Sequence, residues 1–133
     1  MMKIEFQLTT HKQSEIIDIT ESVAKEISKS TIKDGMCVVF IPHTTCCVCV
    51  NENADKSVKD DILNTLNALI PRDGNYTHAE GNSDAHLKSS LIGSSRILII
   101  EDGELFLGTW QGIYFCEFDG PRKRKVVLKL TGS

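Results

Sequence analysis

Residues 36–70 read MCVVFIPHTTCCVCVNENADKSVKDDILNTLNALI, and the change of period within this stretch decides the fold class. Positions 36–41 and 45–50 are runs of β-branched and small apolar residues, the composition of buried strands, interrupted by Pro42, His43 and Thr44. Either two buried strands or one strand broken at Pro42 accounts for them. Beyond Asn51 the period lengthens: Val58, Ile62, Leu66, Leu69 and Ile70 fall at i, i+4, i+8, i+11 and i+12. With Asn53 or Asp55 placed to cap and Pro71 just past the end, this spacing predicts a helix over 54–70.

Upstream, residues 3–8 and 15–19 alternate like half-buried strands. Thr20 reads as an N-cap, and Ile19, Val23 and Ile27 make one face of a short helix closed near Asp34-Gly35. Downstream, 71–82 is rich in turn residues and reads as a loop, and 83–92 reads as a short helix stopped by Gly93. Strands follow over 96–100, 105–107, 113–118 and 126–130, with turns at Asp102-Gly103, Gly108–Gly112 and Asp119-Gly120-Pro121. The expected fold is a single α+β domain over 1–133, with antiparallel β-sheets in a sandwich-like arrangement and two or three helices on one side.

Composition narrows the function. Fifteen basic against eighteen acidic residues leave a net charge of −3, so no global field gathers nucleic acid, and no window approaches the apolar length of a membrane span. The alternating N-terminus lacks the apolar block of a signal peptide, and five cysteines, an odd number, suit a reducing compartment. The expectation is a soluble cytoplasmic protein with neither nucleic acid nor membrane as partner. In a strand Cys47 and Cys49 share one face and Cys46 takes the other, so the run cannot converge on a metal, and buried structural thiols are expected there and at Cys116.

Three of the four histidines sit in polar, turn-like contexts: His43 in Pro-His-Thr-Thr, His78 after Tyr76-Thr77, and His86 after Gly81-Asn82-Ser83-Asp84-Ala85. Three imidazoles with one open position suit a divalent ion such as zinc, although the spacing matches no diagnostic motif, and three separate structural histidines are the bland alternative. Glu52, at the strand-to-helix junction, is a possible general base or metal ligand, or else a solvated carboxylate. Arg122-Lys123-Arg124-Lys125 concentrates positive charge in an otherwise acidic chain. On a strand Arg122 and Arg124 point to one face, which makes a phosphate clamp feasible; a charged edge strand is the competing reading. Trp110, between two glycines, reads as a buried anchor for the sheet rather than a ligand wall.

Taken in order, His43-Thr44-Thr45, Asn51-Glu52-Asn53-Ala54-Asp55, His78-Ala79-Glu80-Gly81-Asn82 with Ala85-His86, Leu107-Gly108-Thr109-Trp110-Gln111 and Gly120-Pro121-Arg122 resemble the successive blocks of the YjbQ family, also called UPF0047 or the secondary thiamine-phosphate synthase family. The resemblance runs from about residue 5 to the C-terminus. It implies a homotrimer of antiparallel-sheet subunits with the histidines in one polar cavity. Carried onto this chain, it implies His43, His78, His86, Glu52 and Arg122 as catalytic residues. Asn82 and Gln111 would hold the ligand; Arg124 beside Arg122, and a divalent metal, zinc or magnesium, on the three histidines, are expected from the chemistry of the residues themselves. The implied activity is thiamine-phosphate synthesis, a transferase reaction joining a pyrimidine diphosphate to a thiazole phosphate, as a secondary activity. A metal-dependent hydrolase with Glu52 near a metal-bound water, and a non-catalytic metal- or ligand-binding trimer, are the alternatives. The cysteines at 46, 47 and 49 stand where small or aliphatic residues are expected in relatives.

Overall fold

A computed structural model describes residues 2–133. Strands β1 (Met2–Thr9) and β2 (Glu15–Asp18) precede helix α1 (Thr20–Lys29); strands β3 (Asp34–Phe40) and β4 (Cys46–Glu52) lead into helices α2 (Lys56–Leu69) and α3 (Ser83–Ile92). Strands β5 (Ser95–Glu101), β6 (Glu104–Phe106), β7 (Gln111–Glu117) and β8 (Lys123–Gly132) complete the chain. The two runs flanking Pro42 are therefore separate strands, and they belong to different sheets. One sheet has the order β1-β8-β3-β5-β6, the other β2-β7-β4, and every pairing is antiparallel.

The alternation seen in the sequence becomes layering. Cys37, Val39, Leu98, Ile100, Val126, Leu128 and Leu130 point inward from the large sheet and meet Cys46, Val48, Ile113 and Phe115 of the small one. The opposite face of the small sheet, with Ile16, Cys47, Tyr114 and Cys116, packs under Ile62, Leu63, Leu66 and Ile92 of α2 and α3. Helix α1 instead joins the inter-sheet core through Val23 and Ile27, so the helices do not all lie on one side. Among the described residues no helix is long and apolar enough to cross a membrane.

Several local expectations need correction. Thr20 is the first helical residue rather than the cap: its hydroxyl accepts from the Ile113 amide and donates to Asp18, which ties the helix start to β2 and β7. Helix α1 ends at Lys29, and Asp34-Gly35 already opens β3. Asp55 is the cap of α2, accepting from the Ser57 amide at 2.9 Å. Trp110 is 63% exposed, in the turn that leads into β7, and does not anchor the sheet. Strand β8 is not an edge: it lies between β1 and β3, which removes the charged-edge explanation of its basic residues.

The cysteines sit as strand geometry requires. All five are free thiols; Cys46 faces the inter-sheet core, while Cys47 and Cys49 face the helices. Burial pushes the Cys37 thiol up to about 11 and the Cys46 thiol up to about 12. Cys49 is half-buried with its sulfur 3.8 Å from that of Cys116; that contact and burial raise the Cys49 thiol further, while Cys116 is raised by its contact with Cys47 and by burial.

Candidate functional site

The site is built where three segments meet: the β3–β4 crossing (Pro42–Thr45), the start of α3, and the turn from β7 into β8. The third segment depends on Gly120. A Cβ there would strike the Lys12 carbonyl, the Thr10 hydroxyl at 2.8 Å and the Glu117 side chain at 2.9 Å, so only glycine lets the turn lie this close to the chain after β1. The closeness is then used: the Arg122 amide donates to Thr10 Oγ1 at 2.8 Å and the Thr10 amide to the Arg122 carbonyl at 2.9 Å. Arg122 precedes β8, is exposed, and is held by Asp119 through Nε to the carbonyl and Nη2 to Oδ2 at 3.0 Å.

Arg124, two residues on, behaves differently. It is buried, and its fork is matched to the fully buried Glu117: Nε donates to Oε1 at 2.7 Å and Nη2 to Oε2, with a further bond to Thr45 Oγ1 at 2.8 Å. Glu117 also accepts from Thr10 Oγ1 and the Asp119 amide. The symmetric clamp expected of the two arginines is thus replaced by an inner, structurally committed guanidinium and an outer one on a surface ion pair.

Helical period arranges the α3 side. Asn82, just before the helix, and His86 are four apart and share a face. Asn82 donates through Nδ2 to Asp119 Oδ2 at 2.9 Å, while its buried Oδ1 meets no donor among the described residues. Burial presses the Asp119 carboxyl upward, yet the hydrogen bonds from Asn82 and Arg122 and the charges of Arg122 and Arg124 outweigh it, holding the group below the usual range.

His43 enters from the strand crossing. Its Nε2 accepts the Lys125 amide at 2.9 Å, so the neutral ring carries its proton on Nδ1. Burial, reinforced by the neighbouring Arg124 charge, lowers its pKa and keeps the ring neutral.

These groups share one cavity of about 370 Å³, lined by Pro42, His43, Thr44, Thr45, Glu80, Asn82, His86, Asp119, Arg122 and Arg124. Five of the residues singled out in the sequence, His43, His86, Asn82, Arg122 and Arg124, come together there. His78 stands alongside rather than inside: its ring meets that of His86 edge to face at 5.3 Å, in a neighbouring cleft with Tyr76 and Leu87. Glu52 and Gln111 do not join. They pair with each other across β4 and β7, at the opposite end of a strand spanning about 20 Å from Cys46, beside the cavity. Gln111 Oε1 is used by the Gly108 amide to close its turn. His11 is exposed, its backbone amide held by Glu15.

Among the described residues the three histidines do not form a metal site. His43 has one nitrogen accepting from backbone and the other protonated, and among the described residues no group of three or more His, Cys, Asp or Glu is placed to hold an ion.

The sequence alone assigns no site role to Thr10, Thr45, Glu117 or Asp119. Glu117 had a signal, an acid inside the apolar run 113–118, whose burial demands a partner.

Residues 4–133 match the family model described as UPF0047 protein YjbQ-like. A UPF0047 protein of Methanocaldococcus jannaschii is 54% identical over 132 residues, covering 99% of this chain and 96% of the relative. The UPF0047 protein YugU of Bacillus subtilis is 46% identical, over 95% of this chain and 96% of its own length. The crystal structure of a YjbQ/UPF0047 family protein from Clostridium acetobutylicum superposes with a TM-score of 0.94 at 55% identity, over 96% of this chain and 99% of that one. A YbjQ-like protein of unknown function from Sulfolobus solfataricus gives 0.95 at 31% identity, over 99% and 97%.

Proposed function

Because this chain belongs to the UPF0047 family of YjbQ-like proteins, we propose that its polar cavity binds the phosphate or diphosphate of a small substrate and transfers the group attached to it. The reading rests on one observation: a neutral imidazole, an exposed guanidinium, two threonines and an orphaned amide oxygen line a single cavity. Arg122 releases Asp119 and takes phosphate oxygens in its fork, while Arg124, held by Glu117, contributes fixed positive charge behind it. In thiamine-phosphate synthesis, the specific reaction proposed, the carbon–oxygen bond of the pyrimidine diphosphate breaks, diphosphate leaves with the electron pair, and the thiazole phosphate supplies the new bond to that carbon. His43 donates Nδ1–H to the departing oxygen, stabilising charge where it develops. Turnover of the two substrates by wild type, with a loss of about a hundredfold in His43→Ala, tests this. Unchanged turnover in that variant contradicts it.

A metal-dependent hydrolase is the second reading, supported by the 5.3 Å contact of His78 with His86. It needs an ion, zinc or magnesium, on those rings and His43 turned away from the Lys125 amide, and metal analysis of purified protein separates it from the first. The homotrimer is also proposed. Met36, Phe40, Ile97, Ile99 and Phe106 leave an apolar patch on the outer face of the large sheet, which a second copy would cover.

A further inference from the structure

A second cavity, of about 480 Å³, adjoins the first and shares His43, Thr44 and His86 with it. Its remaining lining is Cys46, Ser89, Ser90, Gly93 and Ser94. Helix α3 explains the arrangement, because His86, Ser89, Ser90 and Gly93 fall at i, i+3, i+4 and i+7, one stripe continuing that of Asn82 and His86. The two cavities differ in chemistry. The first carries Glu80, Asp119, Arg122 and Arg124, whereas no Lys, Arg, Asp or Glu lines the second among the described residues.

Ser89 singles this cavity out as built for a ligand. The residue is only 8% exposed, and its buried hydroxyl has no hydrogen-bond partner among the described residues. Buried hydroxyls are normally satisfied, and the neighbouring Ser90 is: it donates to the His86 carbonyl at 2.8 Å. A serine inside a helix either turns out to solvent or bonds back to the carbonyl one turn earlier, and Ser89 does neither.

We propose that this cavity is a second subsite, taking the uncharged, hydrogen-bonding organic part of a substrate whose phosphate lies against Arg122, with Ser89 as the residue that selects it. The proposal rests on the phosphate reading of the first cavity and names the class of molecule attached to that phosphate. Charge divides the site: phosphate at the arginine end, a hydroxylated or heterocyclic neutral group at the serine end, and the bond between them beside His43 and His86.

Calorimetric titration with inorganic phosphate, glycerol phosphate, propyl phosphate and phosphoglycerate, on wild type and Ser89→Ala, tests it. Wild type is expected to bind glycerol phosphate at least tenfold more tightly than propyl phosphate, which lacks the hydroxyls, and than phosphoglycerate, which adds a charge. In Ser89→Ala the preference over propyl phosphate should shrink to within threefold, with inorganic phosphate affinity and the melting temperature unchanged or raised, since the hydroxyl removed had no partner. Phosphate binding with no preference for glycerol phosphate, or a preference that Ser89→Ala leaves intact, overturns the subsite alone. Failure of wild type to bind any of the four overturns the phosphate reading with it.

Discussion

Arg122 and Arg124 stand two residues apart and carry the same charge, yet their surroundings assign them opposite work. Glu117→Gln strands a buried guanidinium, so it should cost about 3 kcal/mol, read as a lower urea midpoint at fixed protein concentration. Arg122→Ala breaks only an exposed pair and should change stability by less than about 1 kcal/mol. If the two variants are equally destabilised, the division between inner and outer arginine is wrong. His43 gives a pH signature. Its folded pKa lies below the ordinary 6.5, so as pH falls the unfolded chain takes up the proton first, and stability present above 6.5 is lost between there and the folded value. His43→Gln keeps an acceptor for the Lys125 amide but cannot titrate. Its stability should therefore fall less than that of wild type between about pH 7 and about pH 5, and an identical slope would show that His43 is not the group responsible. At this scale residue type was readable from sequence and partnership was not: nothing local to Arg124 says that Thr45 and Glu117 will enclose it.

Elements show where periodicity carries information and where it stops. Strand β4 is read correctly from alternation alone, because in a strand neighbouring side chains must point to opposite faces. The five cysteines of the chain should accordingly resist reagent in the native state, with half-buried Cys49 the first to react and the other four inert, and all five should label on denaturation. Rapid native labelling of Cys46 or Cys47 would contradict the packing. Helix α2 was legible from its apolar stripe and cap. Helix α3 was legible in its bounds but not in its role, since it buries Asp84, Lys88 and Ser89, and Lys88 is held by Asp84 at 2.9 Å and Asn67 at 2.8 Å. A polar helix face reads as solvent-facing when its partners lie on another element. The same blindness explains Trp110, whose surroundings depend on where a turn ends, and Glu52 with Gln111, which belong to family blocks that the fold places at the far end of the small sheet.

At the scale of the molecule, antiparallel strands and a two-layer core follow from alternation, whereas the sharing of strands between sheets, and with it the convergence of His43, Asn82, His86, Arg122 and Arg124, follows from long-range pairing that no local pattern encodes. The part of the large sheet's outer face formed by β3, β5 and β6 is left apolar. Ile97→Lys and Ile99→Glu, on β5, should convert the proposed trimer to a species near the subunit mass of 14.8 kDa by light scattering, and a wild type already at that mass would contradict the trimer. One cavity, assembled from the β3–β4 crossing, α3 and the Gly120 turn, is proposed to recognise phosphate. Calorimetric titration with pyrophosphate on wild type, Arg122→Ala, His43→Ala and His11→Ala measures that recognition: binding by wild type and His11→Ala is expected, with at least a tenfold loss in the other two, whereas equal affinity in all four proteins, or none in wild type, would contradict phosphate recognition by this cavity.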